Sequence, residues 1–328
     1  MIDEMSSFEI LPLDAGMIAF SAEIARATPP EAVTWPLERQ REAWNAVCRQ
    51  FRVPRPAGLS ISEQVIKGPG GALGLRIYRP QGAGLKPAVL YFHGGGWILG
   101  GPETHDDMCA EIAAGADVVV VAVDYRLAPE HPHPAQFDDN LAAWHYLRAE
   151  GTSLGVDPER LIAAGDSAGG QMSAALALYL RDKELPQLRG QVLIYPVLGS
   201  DCSTPSYVRN ALSSALSKAE MELYLRSFLG PEGSPAWRDK YALPLLETDL
   251  TALPPAFVTA AAHDPLHDDA IFYAQRLRAA GITVTLRREP ALAHSYMRAR
   301  HSSEVAAQGF AAIVEAIRGF AYPASTRS

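Results

Sequence analysis

The chain has 328 residues, 48% of them hydrophobic and 20% charged, with a formal net charge of −8. That is enough for one sizeable core or a core with an attached subdomain, and the acidic balance argues against nucleic acid or an anionic membrane surface as the main partner. Three widely spaced cysteines (Cys48, Cys109, Cys202) make no disulfide framework, acidic Asp3, Glu4 and Glu9 argue against a secretory leader, and no apolar run is long enough to span a bilayer, so the cytoplasm is the expected compartment.

Residues 1–55 read as amphipathic helices broken at Pro29-Pro30 and Pro36, with apolar faces at Met17–Phe20 and at Trp44, Val47 and Phe51. Val53–Pro56 reads as a linker. Strands at 61–65 and 73–78 flank the Gly68–Gly71 turn and predict an antiparallel start. Strands and helices then alternate: strand 87–92, helix 105–114, strand 117–123, helix 135–149, strand 160–164, helix 168–182 and strand 190–195. Strand 256–261, helix 268–280, strand 282–288 and a terminal helix at 301–319 follow. Valine-rich runs without polar alternation, separated by helices, predict a mostly parallel sheet covered on both faces, an α/β fold. Residues 199–250 interrupt the alternation with a helix at 213–229 and a loop at 230–235. An insertion after a strand's carboxyl end lies on the ligand side, so it predicts a cap built together with residues 1–55. The core is then 56–198 plus 251–322, and 323–328 is a frayed end.

Two glycine-rich motifs each follow an apolar strand. Gly165-Asp166-Ser167-Ala168-Gly169 fits the G-x-S-x-G elbow, which lifts a serine hydroxyl out of a strained strand-to-helix turn. His93-Gly94-Gly95-Gly96-Trp97 fits the loop whose backbone N–H groups face a developing oxyanion. A phosphate cradle is the alternative for the glycines, but the lysine and spacing of nucleotide loops are missing. For Ser167 the alternative is a helix N-cap. Flanking Gly165 and Gly169 favour the nucleophile. A serine needs a base, and the base an orienting carboxylate, in the chain order Ser, Asp, His. Asp264 stands just past strand 256–261 in a turn fixed by Pro265, and His294 lies on the loop after the next strand.

The expected roles are Ser167 as nucleophile, His294 as base then acid, and Asp264 as orienter. Gly95, Gly96 and Ala168 supply N–H groups to the oxyanion. His93 braces its loop, with Gly94 and Trp97 as the motif's frame. Asp124 and Arg126, in Asp124-Tyr125-Arg126-Leu127-Ala128-Pro129-Glu130, are charges beside a buried strand and read as structural pairs. Asp166 reads either as a local hydrogen bond or as a tuner of the site. Of the rival histidines, His267 is too near Asp264 in sequence, His263 precedes the acid and His301 starts the terminal helix. His263 and His267 share metal-ligand spacing, but Pro265 interrupts a helix there and H-E-x-x-H is absent, so no metal is expected.

The paired motifs, with Asp124–Glu130, Asp264–Leu266 and His294, resemble the hormone-sensitive-lipase-like esterases, the bacterial family IV of the α/β hydrolases, over residues 60–320. Gly100–Asp106 and Tyr179–Lys183 are similar to bacterial acetyl esterases. The resemblance implies an α/β-hydrolase fold, a cofactor-free acyl-serine mechanism, short-chain ester substrates and the same triad and oxyanion hole, and leaves a homodimer open. The sequence departs from the family in the acid motif Asp264-Pro265-Leu266-His267-Asp268-Asp269, where the family usually has arginine and glutamate, and at Ser295-Tyr296, where Gly-Phe is usual. An amide or arylacetamide hydrolase would use the same triad. A non-catalytic binding relative, such as the plant gibberellin receptor, is expected to lack a triad member, whereas all three are present here.

Overall fold

A computed structural model describes residues 8–323. The first seven residues and the expected frayed end beyond 323 lie outside the described residues. In the N-terminal stretch the Asp14 carboxylate accepts the Gly16 and Met17 N–H groups at 2.9 and 3.2 Å, which starts α1 (Ala15–Ala27). Pro36 precedes α2 (Leu37–Gln50). Next come β1 (Leu59–Gly68) and β2 (Gly71–Pro80), an antiparallel hairpin closed by the Gly68–Gly71 pair.

The alternating part runs β3 (Lys86–Phe92), α3 (Asp106–Ala116), β4 (Val119–Asp124), α4 (Ala135–Glu150), β5 (Val156–Asp166), α5 (Ala168–Asp182) and β6 (Gly190–Ile194). After it come α6 (Pro205–Arg209), α7 (Lys218–Leu229), β7 (Ala256–His263), α8 (His267–Ala279), β8 (Val284–Ala293) and α9 (Glu304–Ala321). The eight strands form one sheet in the order β1-β2-β4-β3-β5-β6-β7-β8. The strands from β4 to β8 pair in parallel, and β2 alone runs against them, since β1 reverses direction again in the hairpin. This is the α/β-hydrolase architecture expected from the resemblance.

Side chains alternate across a strand, so Ala88, Leu90 and Phe92 of β3 enter one apolar layer while Val89 and Tyr91 enter the other. The first layer packs against α4, α5, α7 and α8, the second against α1, α3 and α9. Both faces are covered, which is why the strands read as continuous apolar runs. Phe8–Leu13 runs beside the outer strand: the Leu11 and Asp14 N–H groups donate to the Pro290 and Ala291 carbonyls at 3.1 and 3.0 Å.

Three expectations are corrected. The helix expected at 213–229 is shorter, and a separate short helix precedes it at 205–209. Pro205 opens α6, and α7 starts only at Lys218, where Ser217 and Glu220 form a reciprocal cap (Glu220 N to Ser217 Oγ 3.2 Å, Ser217 N to Glu220 Oε2 2.7 Å). The terminal helix begins at Glu304, capped by Ser303, and not at His301, whose Nε2 donates to Glu111 at 2.8 Å in the preceding turn. Strand 282–288 is longer than expected, because β8 stays paired with β7 up to His263 opposite Ala293.

Candidate active site

The residues singled out in the sequence meet at the carboxyl ends of β3, β5, β7 and β8. Ser167 follows β5 directly, with φ 57° and ψ −117°. A serine is held in that left-handed region only where the surroundings fix it. Here its N–H donates to the Ile194 carbonyl at 2.8 Å and its carbonyl accepts the Gln171 N–H at 3.2 Å. Gly169 must be glycine, since a Cβ there would collide with the Phe92 carbonyl oxygen.

His294 Nε2 lies 3.0 Å from Ser167 Oγ, and His294 Nδ1 lies 2.6 Å from Asp264 Oδ2. Asp264 is fully buried, and its other oxygen accepts the Leu266 N–H at 2.9 Å. That bond uses the Asp264-Pro265-Leu266 turn to aim the carboxylate. With Oδ2 on Nδ1, the imidazole presents Nε2 to the serine, the geometry a base requires.

The loop after β3 lies alongside. Gly95 and Gly96 have φ of 122° and 58°, and a Cβ on Gly96 would enter the Tyr224 ring. Among the described residues the loop's own hydrogen bonds use the Gly94 N–H and the Gly95 carbonyl, leaving the Gly95 and Gly96 N–H groups unclaimed. Ala168 opens α5 beside them, so its N–H sits at the positive end of a helix dipole. His93 is buried, stacked on Tyr125 at 4.1 Å, with Nδ1 2.8 Å from the Gly94 carbonyl and 3.1 Å from the Tyr125 hydroxyl. Burial, with the nearby His105, pushes its pKa down to about 3, so it is neutral. Trp97 donates to Gln171 Oε1 at 3.0 Å and stacks on Phe228 of α7 at 4.0 Å.

Asp166 is neither at the surface nor confined to its own turn. Its Oδ1 accepts the Tyr91 hydroxyl at 2.8 Å and the Gly94 N–H at 3.1 Å, tying the elbow to the oxyanion loop. Arg126 behaves as expected and grips buried Asp139 with Nε and Nη2 at 2.9 and 3.0 Å. Asp124 does not: it is exposed at the end of β4 over Gly74, with no side-chain hydrogen bond among the described residues. His263 sits 2.8 Å from the Leu11 carbonyl and His267 beside Asp268 at 3.1 Å, so neither reaches Ser167.

A crevice of about 50 Å³ opens onto Ser167 and His294. Its outer wall comes from Ile24, Thr28 and Trp44 of the N-terminal stretch and from Leu216, Glu220 and Tyr224. His105 and Arg298, missed in the sequence, lie buried beneath Asp166. Their one visible signal was placement, next to Gly100–Thr104 and four residues after His294.

A profile described as the alpha/beta hydrolase fold matches residues 89–298. Carboxylesterase NlhH of Mycobacterium tuberculosis is 42% identical over 236 residues, 70% of this chain and 74% of that protein. Ethyl acetate hydrolase of Pseudomonas putida is 38% identical over 254 residues, 76% of this chain and 79% of that protein. Among solved structures, a thermostable esterase from Pseudomonas putida ECU1011 superposes with a TM-score of 0.90 at 28% identity, covering 95% of this chain and 99% of its own. The ester-hydrolase EH1AB1 from the metagenome of Lake Arreo gives 0.88 at 34% identity, covering 94% and 98%.

Proposed function

The chain belongs to the α/β-hydrolase fold family, among its hormone-sensitive-lipase-like carboxylesterases, and from that premise we propose that it cleaves short-chain acyl esters through an acyl-serine intermediate on Ser167. The contiguous Ser167–His294–Asp264 chain, at 3.0 and 2.6 Å, carries this reading. Ser167 Oγ attacks the ester carbonyl as His294 Nε2 takes its proton. The oxyanion that forms is met by the N–H groups of Gly95, Gly96 and Ala168. His294 then protonates the leaving alcohol. Water, activated by the same imidazole, attacks the acyl-serine carbonyl and releases the acid. Asp264 holds the tautomer and stabilises the imidazolium. No cofactor enters these steps.

Residues 1–55 and 199–250 form the cap in this reading, over a core of 56–198 and 251–322. The support is that Ile24, Trp44, Leu216 and Tyr224 wall the crevice. Its small volume supports acetyl-sized acyl groups, since drug-sized pockets occupy roughly 300–1,000 Å³. Three unpaired cysteines support the cytoplasm. The family resemblance alone supports a homodimer.

The test is a fluorophosphonate label together with p-nitrophenyl acetate turnover. One label per chain is expected, lost with turnover in Ser167→Ala. Labelling that survives in Ser167→Ala overturns the assignment. Matched phenyl acetate and acetanilide decide between ester and amide preference.

A further inference from the structure

We propose that His105 and Arg298 are positioning residues for the oxyanion hole: with Asp166 they form a buried brace that ties the Gly94–Gly96 loop to the loop bearing His294.

The brace starts at the elbow. Asp166 Oδ1 holds the Gly94 N–H and the Tyr91 hydroxyl. A Cβ at residue 94 would strike this carboxylate, so the contact needs the glycine as much as it needs the aspartate. His105 Nε2 then lies 3.2 and 3.3 Å from the two Asp166 oxygens. Arg298 Nη2 lies 3.2 Å from the same ring nitrogen, and Arg298 Nη1 donates to the Thr104 carbonyl at 2.8 Å. The chain Gly94–Asp166–His105–Arg298 therefore crosses three segments distant in sequence; His105 and Arg298 alone are 193 residues apart. Arg298 stands in the Tyr296–Ala299 turn, which immediately follows His294-Ser295.

All three side chains are buried: Asp166 is 5% exposed, His105 0% and Arg298 6%. A carboxylate so placed is costly unless paired. Burial alone would raise the Asp166 pKa, yet the charges of His105 and Arg298 and the hydrogen bonds from His105 and Tyr91 hold it well below the usual carboxylate range. The anion is what makes the Gly94 N–H bond strong, and that bond orients the two following N–H groups.

His105 Nε2 serves two neighbours of opposite character. Bearing hydrogen, it donates to Asp166, while the Arg298 guanidinium beside it adds its positive charge to the same carboxylate's surroundings. Thr104 Oγ1, 2.9 Å from Nδ1, steadies the other side of the ring. Because oxyanion donors must be aimed before charge develops, loosening this brace weakens transition-state binding more than substrate binding.

This inference rests on the ester-hydrolase reading. The experiment compares His105→Leu, His105→Gln, Arg298→Met and Arg298→Lys with the unaltered chain, measuring kcat, KM, melting temperature and affinity for a short trifluoromethyl ketone. Ser167 Oγ adds to that ketone, its proton passes to His294 and the resulting alkoxide occupies the oxyanion hole. For His105→Leu and Arg298→Met, kcat and ketone affinity are expected to fall together by about tenfold to a hundredfold, part of the ~10²–10³ seen on removing a whole oxyanion donor. KM should stay within about threefold. His105→Gln offers an N–H to Asp166 and a carbonyl to Arg298, and should recover most of the loss; Arg298→Lys should recover part. The proposal is overturned if ketone affinity is unchanged, if kcat follows only the melting temperature, or if Gln is as impaired as Leu. Should His105→Leu not fold, Arg298→Met gives the same readout. A parent chain without Ser167-dependent turnover sinks the ester-hydrolase reading, whereas an active parent with unaffected variants sinks this inference alone.

Discussion

At the scale of single residues, the helix that follows the Asp264 turn holds a second carboxylate with a different fate. Asp269 is fully buried and accepts the Leu198 and Gly199 N–H groups at 2.8 and 2.9 Å. Burial, helped by the charges of Asp264 and Asp268, outweighs those two donors and pushes its pKa up to about 6. The folded chain thus binds this proton more tightly than the unfolded chain, where an aspartate titrates near 3.9. The sign follows: stability from this group is present at low pH and declines as pH rises from about 4 through 6, by about 3 kcal/mol in all. Asp269→Asn keeps an acceptor oxygen for both N–H groups and removes the charge. It should raise unfolding stability by about 2–3 kcal/mol at pH 8 and change it little at pH 4.5, as read by urea unfolding. An equal effect at both pH values would contradict the assignment. Its burial was invisible in the sequence, where Asp269 fell near the start of the expected helix 268–280. By contrast Ser167, Asp264 and His294 were legible, because each is flanked by residues that fix its turn. Burial and long-range partners are not local properties, and so His105, Arg298 and the exposed state of Asp124 had to come from the fold.

At the scale of elements, α7 bears directly on the oxyanion loop. Phe228 is 1% exposed and lies flat on Trp97, 4.0 Å between centroids and 3° from parallel. Four residues earlier, Tyr224 covers Gly96, the i, i+4 spacing that places both rings on one helix face. Phe228→Ala should cost about 3–5 kcal/mol of stability and also lower kcat, while Phe228→Leu should retain most of both. Thermal unfolding and turnover in parallel check this; a stability loss with intact kcat would separate α7 from catalysis. Apolar spacing ran back to 213 and hid the start of α7 at Lys218. The reciprocal Ser217–Glu220 cap decided the boundary, a signal present in the residues but outvoted by periodicity. Arg41 of α2 makes a comparable tie from the other side. Its guanidinium donates to the Ile98 and Ala128 carbonyls at 2.9 and 3.2 Å and pairs with Glu130. Both long-range helices thereby hold the loop that presents Gly95 and Gly96.

For the whole molecule, the alternation of valine-rich strands with helices was enough to place a covered parallel sheet, since burial on both faces leaves a composition signal in each strand. Strand order was not legible: β3 lies between β4 and β5 because the chain reverses direction across the sheet there, which no local pattern records. That arrangement puts the oxyanion loop beside the elbow. The crevice between these loops and the α1, α2 and α7 side chains is small, and predicts kcat/KM highest for acetyl to butyryl p-nitrophenyl esters and at least about tenfold lower by decanoyl, each added methylene having to displace a packed side chain. A rate that rises steadily with chain length would refute it.

The stretch Phe8–Leu13 has a consequence for handling the protein. Through Leu11 and Asp14 it satisfies backbone groups of the sheet's last strand at Pro290 and Ala291, just ahead of His294, while among the described residues Val284 to Glu289 pairs with no further strand. Trimming the chain to begin at α1 would leave every catalytic group in place. It would also lengthen the unsatisfied margin toward the reactive centre, the kind of bare strand that recruits a second molecule. The shortened protein should turn over substrate when dilute and lose itself to self-association when concentrated, because residues 8–13 guard solubility from outside the reactive centre.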